Sequence, residues 1–104
     1  MFYEIRTEYA RPGCGAELAS YMDETVISLH REMGMNVVGA FTVLGDEDTF
    51  VWLRRFEDAA DRERVLKVVH QHPRCAAVVE TFSALVGRTE STVRVEPTPG
   101  SELR

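Results

Sequence analysis

The chain has 104 residues, 44% hydrophobic and 28% charged, with a formal net charge of −5. That length makes one compact domain with a limited core, and the composition excludes disorder and fibrous repeats. Eleven arginines and one lysine are scattered along an acidic chain, so the concentrated positive face that nucleic acid requires is not expected.

No apolar run approaches the ~20 residues of a membrane helix. The N-terminus enters a strand pattern without a basic, apolar leader, so no membrane association and a cytoplasmic location are expected. Cys14 and Cys75 form no ligand or redox motif and read as reduced thiols. Cys14, at a predicted helix start, is read as a small N-terminal residue, because no neighbouring base supports a nucleophile.

Phe2 to Tyr9 alternates as a strand, ended by Arg11-Pro12-Gly13. From Cys14 to Met33, Leu18, Met22, Thr25/Val26, Leu29 and Met33 recur at helical spacing, with Gly34 as the C-terminal cap. Strands Asn36 to Val43 and Thr49 to Phe56 follow, joined by a Leu44 to Asp48 hairpin loop. Asp58 is placed to cap a helix carrying Val65, Leu66, Val68 and Val69. Pro73 breaks that helix, and a second segment runs through Ala76, Val79, Phe82 and Val86 to Gly87. Thr89 to Glu96 alternates as a last strand, so residues 1–96 form the domain and 97–104 a short polar tail with nothing to bury.

The order βαββαβ predicts an α+β, ferredoxin-like fold: a four-stranded antiparallel sheet, first and third strands central, helices on one face. The third strand is apolar on both sides, Phe50, Trp52 and Phe56 alternating with Val51 and Leu53. A short chain covers one side with its own helices, and a second subunit is expected to cover the other. Pairing Leu44 with Thr49 sets Val38, Ala40, Thr42, Val51, Leu53 and Ile5 against the helices. It sends Phe41, Val43, Phe50, Trp52, Arg54 and Phe56, with Phe2, Glu4 and Arg6, to the open face.

Tyr3-Glu4-Ile5-Arg6-Thr7, Pro12-Gly13 before Ala16-Glu17, Val38-Gly39, and Asp61-Arg62 leading a proline-broken helix together resemble the NIPSNAP family over residues 2 to 86. The resemblance implies the dimeric α/β-barrel superfamily, in which two ferredoxin-like subunits press open sheet faces together, and hence a homodimer. The chain has Trp52-Leu53-Arg54 where the family usually carries a His-x-Trp pair, and Cys75 where it usually has a tryptophan. Most members have no well-defined biochemical activity.

The expected site lies in the barrel between sheets. Arg6 and Arg54 would hold a carboxylate, phenolate or enolate, with Phe41, Trp52 and Phe56 around an apolar body. Glu4 is the candidate general base, although a neighbouring arginine lowers its basicity. The plainer alternative is that Glu4, Arg6, Trp52 and Arg54 form an ion pair and a guanidinium–indole stack that merely complete an interface. His30 reads as an edge-of-core residue, and His70 and His72 as a helix C-terminus rather than metal or haem ligands. No metal or cofactor is predicted, and no nucleotide-binding or hydrolase motif is present.

Two functions follow: a binder of a small apolar or aromatic molecule, extending to a cofactor-independent cyclase, isomerase or monooxygenase; or a non-catalytic homodimeric module with a filled interface.

Overall fold

A computed structural model describes residues 1–104. Strand β1 (Phe2–Ala10) leads into a helical rod made of α1 (Gly15–Tyr21), a π-helical segment (Met22–Val26) and α2 (Ile27–Glu32). Strands β2 (Asn36–Val43) and β3 (Asp46–Phe56) form the hairpin, α3 (Ala59–Gln71) and α4 (Cys75–Leu85) follow, and β4 (Val86–Val95) closes the sheet. The order is β2-β3-β1-β4 with antiparallel pairing throughout, as the element order predicts. No helix is long and apolar enough to cross a membrane.

Local chemistry sets the helix ends. The Asp58 side chain accepts from the Asp61 amide at 2.7 Å and caps α3, satisfying an amide that has no helical partner. Pro73 lies in the break between α3 and α4. The first rod stops before Gly34, whose φ of +97° suits a residue without a side chain. At its other end, Asp48 of β3 accepts from the amides of Gly15 at 3.1 Å and Gly13 at 3.3 Å. Backbones come so close here that a Cβ on Gly15 would sit 1.6 Å from the Glu47 carbonyl oxygen, so only glycine fits.

The rod buries Leu18, Met22, Val26, Ile27 and Leu29, one stripe of the expected helix. The π turn is not legible in that stripe, because one wide turn displaces the residues after it without changing the apolar count.

The faces of β1 and β3 are the reverse of those expected. Directly opposed residues share a face, and the central pair aligns Phe2 with Phe56, Glu4 with Arg54, Arg6 with Trp52 and Glu8 with Phe50. Glu4, Glu8, Phe50, Trp52, Arg54 and Phe56 are all buried, beneath the helices. The set expected there divides: Ile5, Val51 and Leu53 are half-buried on the uncovered face, whereas Ala40 and Thr42, opposite Trp52 and Phe50, keep the helix side but are exposed on the edge strand, as is Val38 at the register break.

Two causes combine. The hairpin turns on Leu44 and Gly45, and β3 already begins at Asp46, whose carboxylate accepts from the Asp48 amide and the Thr49 hydroxyl. Phe41 therefore opposes Val51 and Ala40 opposes Trp52, with register breaks at Val37/Gly39 and Thr42/Val43. This is one residue from the expected pairing. Secondly, bulky aromatics fill the space under the helices, and the charges among them find partners within the same face.

The uncovered face carries Ile5, Val51, Leu53 and Phe41, the last 51% exposed. The tail curls back along one end of this face, where Pro97, Thr98, Ser101 and Leu103 border a hollow with Tyr3, Ile5 and Leu53. Tyr3 is buried as a result.

Candidate functional site

Between the sheet and the helices lies a cavity of about 410 Å³, within the roughly 300–1,000 Å³ of small-molecule sites. Its floor is Arg6, Glu8, Trp52 and Arg54 from β1 and β3. Val26, Leu29 and His30 of the rod form one wall, and Arg62, Leu66, Val69 and His70 of α3 another. Val78, Val79, Phe82 and Ser83 of α4 complete it, with Cys75 beside them.

Two charged networks build the floor. In the first, Glu4 is fully buried and accepts from Arg54 Nη2 at 2.6 Å, Arg62 Nε at 2.8 Å and Arg94 Nε at 3.1 Å. Arg62 comes from α3 and Arg94 from β4, so one carboxylate ties a helix to three strands. Burial alone raises the carboxyl pKa, but the hydrogen bond and charge of Arg54, joined by Arg62, hold it below its ordinary value. Three guanidiniums make Glu4 a poor proton acceptor, and it does not border the cavity. Its expected role as general base is withdrawn.

In the second network, Trp52 Nε1 donates to Glu8 Oε2 at 3.1 Å, and Arg6 Nε donates to the same oxygen at 2.8 Å. Arg6 Nη2 also lies 3.4 Å from Glu90. Glu8 is thus a buried positioning residue for Trp52 and Arg6.

Arg54 is the least satisfied member of the floor. Its guanidinium lies over Trp52 at 5.1 Å and Phe56 at 5.8 Å, and its single hydrogen bond within the chain is to Glu4. Its Nε is buried without a partner, an arrangement that costs about 1–3 kcal/mol. With Arg6, Arg62 and Arg94 also present, arginines outnumber buried carboxylates here. The cavity is electropositive inside an acidic chain.

Arg6, Trp52 and Arg54 therefore stand together as expected, but under the helices and not between two sheets. Phe56 packs behind Arg54 and against Phe2, with ring centres 5.6 Å apart, and does not line the cavity. Phe41 is removed altogether, since it projects from the opposite sheet face. Glu8, His30, Arg62 and His70 were not anticipated; only Glu8, two residues from Arg6 on the same strand face, had a sequence signal.

His30 departs furthest from its plain reading. Its Nδ1 lies 2.6 Å from the Val26 carbonyl oxygen, which fixes that nitrogen as the donor in the neutral ring. Its ring meets Trp52 edge to face with centroids 5.3 Å apart. Burial lowers its pKa below 6.5, and the charges of Arg54, Arg6 and His70 push the same way against the Val26 hydrogen bond. The imidazole is neutral at pH 7. No group of three or more histidine, cysteine, aspartate and glutamate side chains converges to hold a metal ion.

Solved structures share this architecture. A NIPSNAP family protein of unknown function from Agrobacterium tumefaciens superposes with a TM-score of 0.88 at 22% identity, covering 100% of this chain and 94% of its own. An uncharacterized NIPSNAP domain protein from Burkholderia xenovorans gives 0.86 at 16% identity, covering 97% and 98%. An antibiotic biosynthesis monooxygenase gives 0.69 at 16% identity, covering 95% and 100%. No curated protein matches the chain in sequence. The NIPSNAP family profile matches residues 3–101, nearly the whole chain, and the protein belongs to the NIPSNAP family.

Proposed function

We propose that this protein binds a small molecule with an apolar, preferably aromatic, body and an acidic head in the cavity between its sheet and helices. The single observation that carries this reading is Arg54: a buried guanidinium, hydrogen-bonded within the chain to Glu4 alone, bordering an otherwise largely apolar space. An anion in the cavity accepts from the Nη donors of Arg54 that Glu4 leaves free, Arg6 and Arg62 add positive charge, and Leu29, Leu66, Val78 and Phe82 receive the body. The likeness to an antibiotic biosynthesis monooxygenase supports a small-molecule role through the fold alone.

The experiment is a Trp52 fluorescence titration with benzoate, phenylacetate and phenylpyruvate. Saturable binding that weakens by about tenfold or more in Arg54→Lys, which keeps the charge but loses the fork geometry, is the expected result. A response absent in the parent protein, or unchanged in both Arg54→Lys and Arg6→Ala, sinks the reading.

The second reading, a homodimeric interaction module, draws on the uncovered face with Ile5, Phe41, Val51 and Leu53. A second copy of the chain is the occupant proposed for that face, since apolar sheet surface is poorly tolerated in water and a two-fold axis makes one such patch self-complementary. Cavity and dimer face lie on opposite sides of the sheet, so the two proposals are compatible. Light scattering at twice 11.8 kDa is expected, and a monomer at high micromolar concentration removes the dimer.

A further inference from the structure

We infer that the cavity is a proton-transfer site in which His30 is the catalytic base and Arg54 the enolate-stabilising cation, acting on a carbon acid of the 2-oxo-acid type. This deepens the binding reading above and rests on it.

The geometry supplies the parts. His30 is carried on the last turn of α2, four residues beyond the end of the π-helical segment, and its Nδ1–H is committed to the Val26 carbonyl. The remaining lone pair therefore belongs to Nε2, which makes no hydrogen bond within the chain and is not sealed off from the space the residue lines. A neutral imidazole with one nitrogen tied to a carbonyl and the other free is the form that accepts a proton.

Arg54 stands beside the same indole that His30 touches, with the ring centroid of Trp52 5.3 Å from the imidazole and 5.1 Å from the guanidinium carbon. Base and cation thus border one aromatic floor. The charged and titratable groups that line the cavity with His30 are Arg6 and Glu8 of β1, Arg54 of β3, Arg62 and His70 of α3, and Cys75 of α4. Glu8 is committed to Arg6 and Trp52, so the field at the imidazole is positive. Burial first and that field second favour the neutral form of His30, and the field favours an anion in the cavity.

The step balances within these residues. Nε2 takes the proton from the carbon next to the substrate carbonyl, the C–H electron pair becomes a C=C bond, and the carbonyl π pair moves onto oxygen. The resulting enolate oxygen accepts from the free donors of Arg54. The Nε2–H then returns its proton to carbon, restoring or isomerising the substrate, or to oxygen, giving the enol. No oxidant or reductant is consumed.

Phenylpyruvate is the probe, because it combines a ring, a carboxylate and an acidic carbon. Its benzylic hydrogens are followed by proton NMR in D2O with full-length protein, and binding is followed in parallel by Trp52 fluorescence. The parent protein is expected to speed deuterium incorporation at least about tenfold over buffer, and His30→Gln to lose about 100-fold or more of the protein-dependent rate while binding within about threefold of the parent. The parent's rate should also climb with pH and level off above a midpoint below 6.5, a readout that needs no variant.

Binding without exchange above buffer overturns the proton-transfer role and leaves the binding reading standing. Exchange that survives in His30→Gln, or that keeps rising through pH 8, removes His30 as the base. If neither phenylpyruvate nor the simpler aromatic acids bind, the cavity reading falls and this inference with it.

Discussion

The two faces of the sheet are built from the same strands and differ in what they do with charge. The face under the helices holds Glu4, Glu8 and Arg54 at 2% exposure or less, each tied to partners from distant parts of the chain. The opposite face holds an aliphatic patch, Ile5, Val51, Leu53 and Val93, left half-buried or exposed among Thr7, Tyr9, Arg55 and Ser91. The apolar face is thus the one without an intramolecular cover. A sheet side is selected for burial by whether its whole set of side chains can be satisfied, and bulky aromatics with mutually neutralising ions meet that condition better than small aliphatics facing thin air.

The sharpest way to break the contrast is to remove the carboxylate at its centre. Glu4→Gln leaves Arg54 buried without a counter-charge and frees Arg62 from the sheet. A loss of about 3–5 kcal/mol is expected, read by urea denaturation. A loss below about 1 kcal/mol shows that the network is not what holds the helices on this face.

On the other side, Leu53→Glu and Val93→Glu would place like charges across the proposed two-fold contact, at a cost of several kcal/mol of association free energy. A particle of 11.8 kDa by light scattering is expected, with monomer stability moved by about 0.5 kcal/mol or less. The same substitutions producing global unfolding would mean that the face is covered from within.

Trp52→Phe keeps the aromatic floor but deletes the donor to Glu8. About 1.5–3 kcal/mol is the expected loss, with Arg6 remaining to pair the carboxylate, and retention of full stability would make Glu8 an Arg6 partner alone.

The smallest effect is a pH dependence with a definite sign. His30 has a folded pKa below its ordinary 6.5, so its contribution is fully present above that pH and is lost as pH falls, because the unfolded chain takes up the proton first. Glu4, held below 4.5, adds a second loss below that value in the same direction. Denaturation midpoints should therefore decline from pH 7 to 5, and His30→Gln should flatten that interval while leaving the steeper fall below 4.5.

Much of the fold was legible because its signals are local. Asp58 caps α3, Pro73 separates α3 from α4, and Gly34 ends the first rod, since each acts within one helical turn. The ion pair of Glu4 with Arg54 and the guanidinium over Trp52 were also legible, because antiparallel neighbours in a βαββαβ order bring β1 against β3. What failed was the side of the sheet on which they stand. Alternation divides a strand into two sets and is indifferent to which set meets the helices, and the hairpin shifted by one residue when Asp46 joined the strand. His30 was missed because its meaning depends on a π turn and on a tryptophan 22 positions away, neither of which leaves a periodic mark.

The sequence by itself therefore determined the element order, the antiparallel sheet with β1 and β3 central, the family, and the companionship of Glu4, Arg6, Trp52 and Arg54. Only the tertiary structure decided that this companionship is buried beneath the helices, that Phe41 and Phe56 stand outside the cavity, and that His30 stands in it. The physical reason is range. Caps, breaks and strand periods are set by neighbours along the chain, whereas the burial of a charge is settled by Arg54 reaching Glu4 and Arg62 reaching the same carboxylate from α3, contacts that exist only once the helices have closed over the sheet.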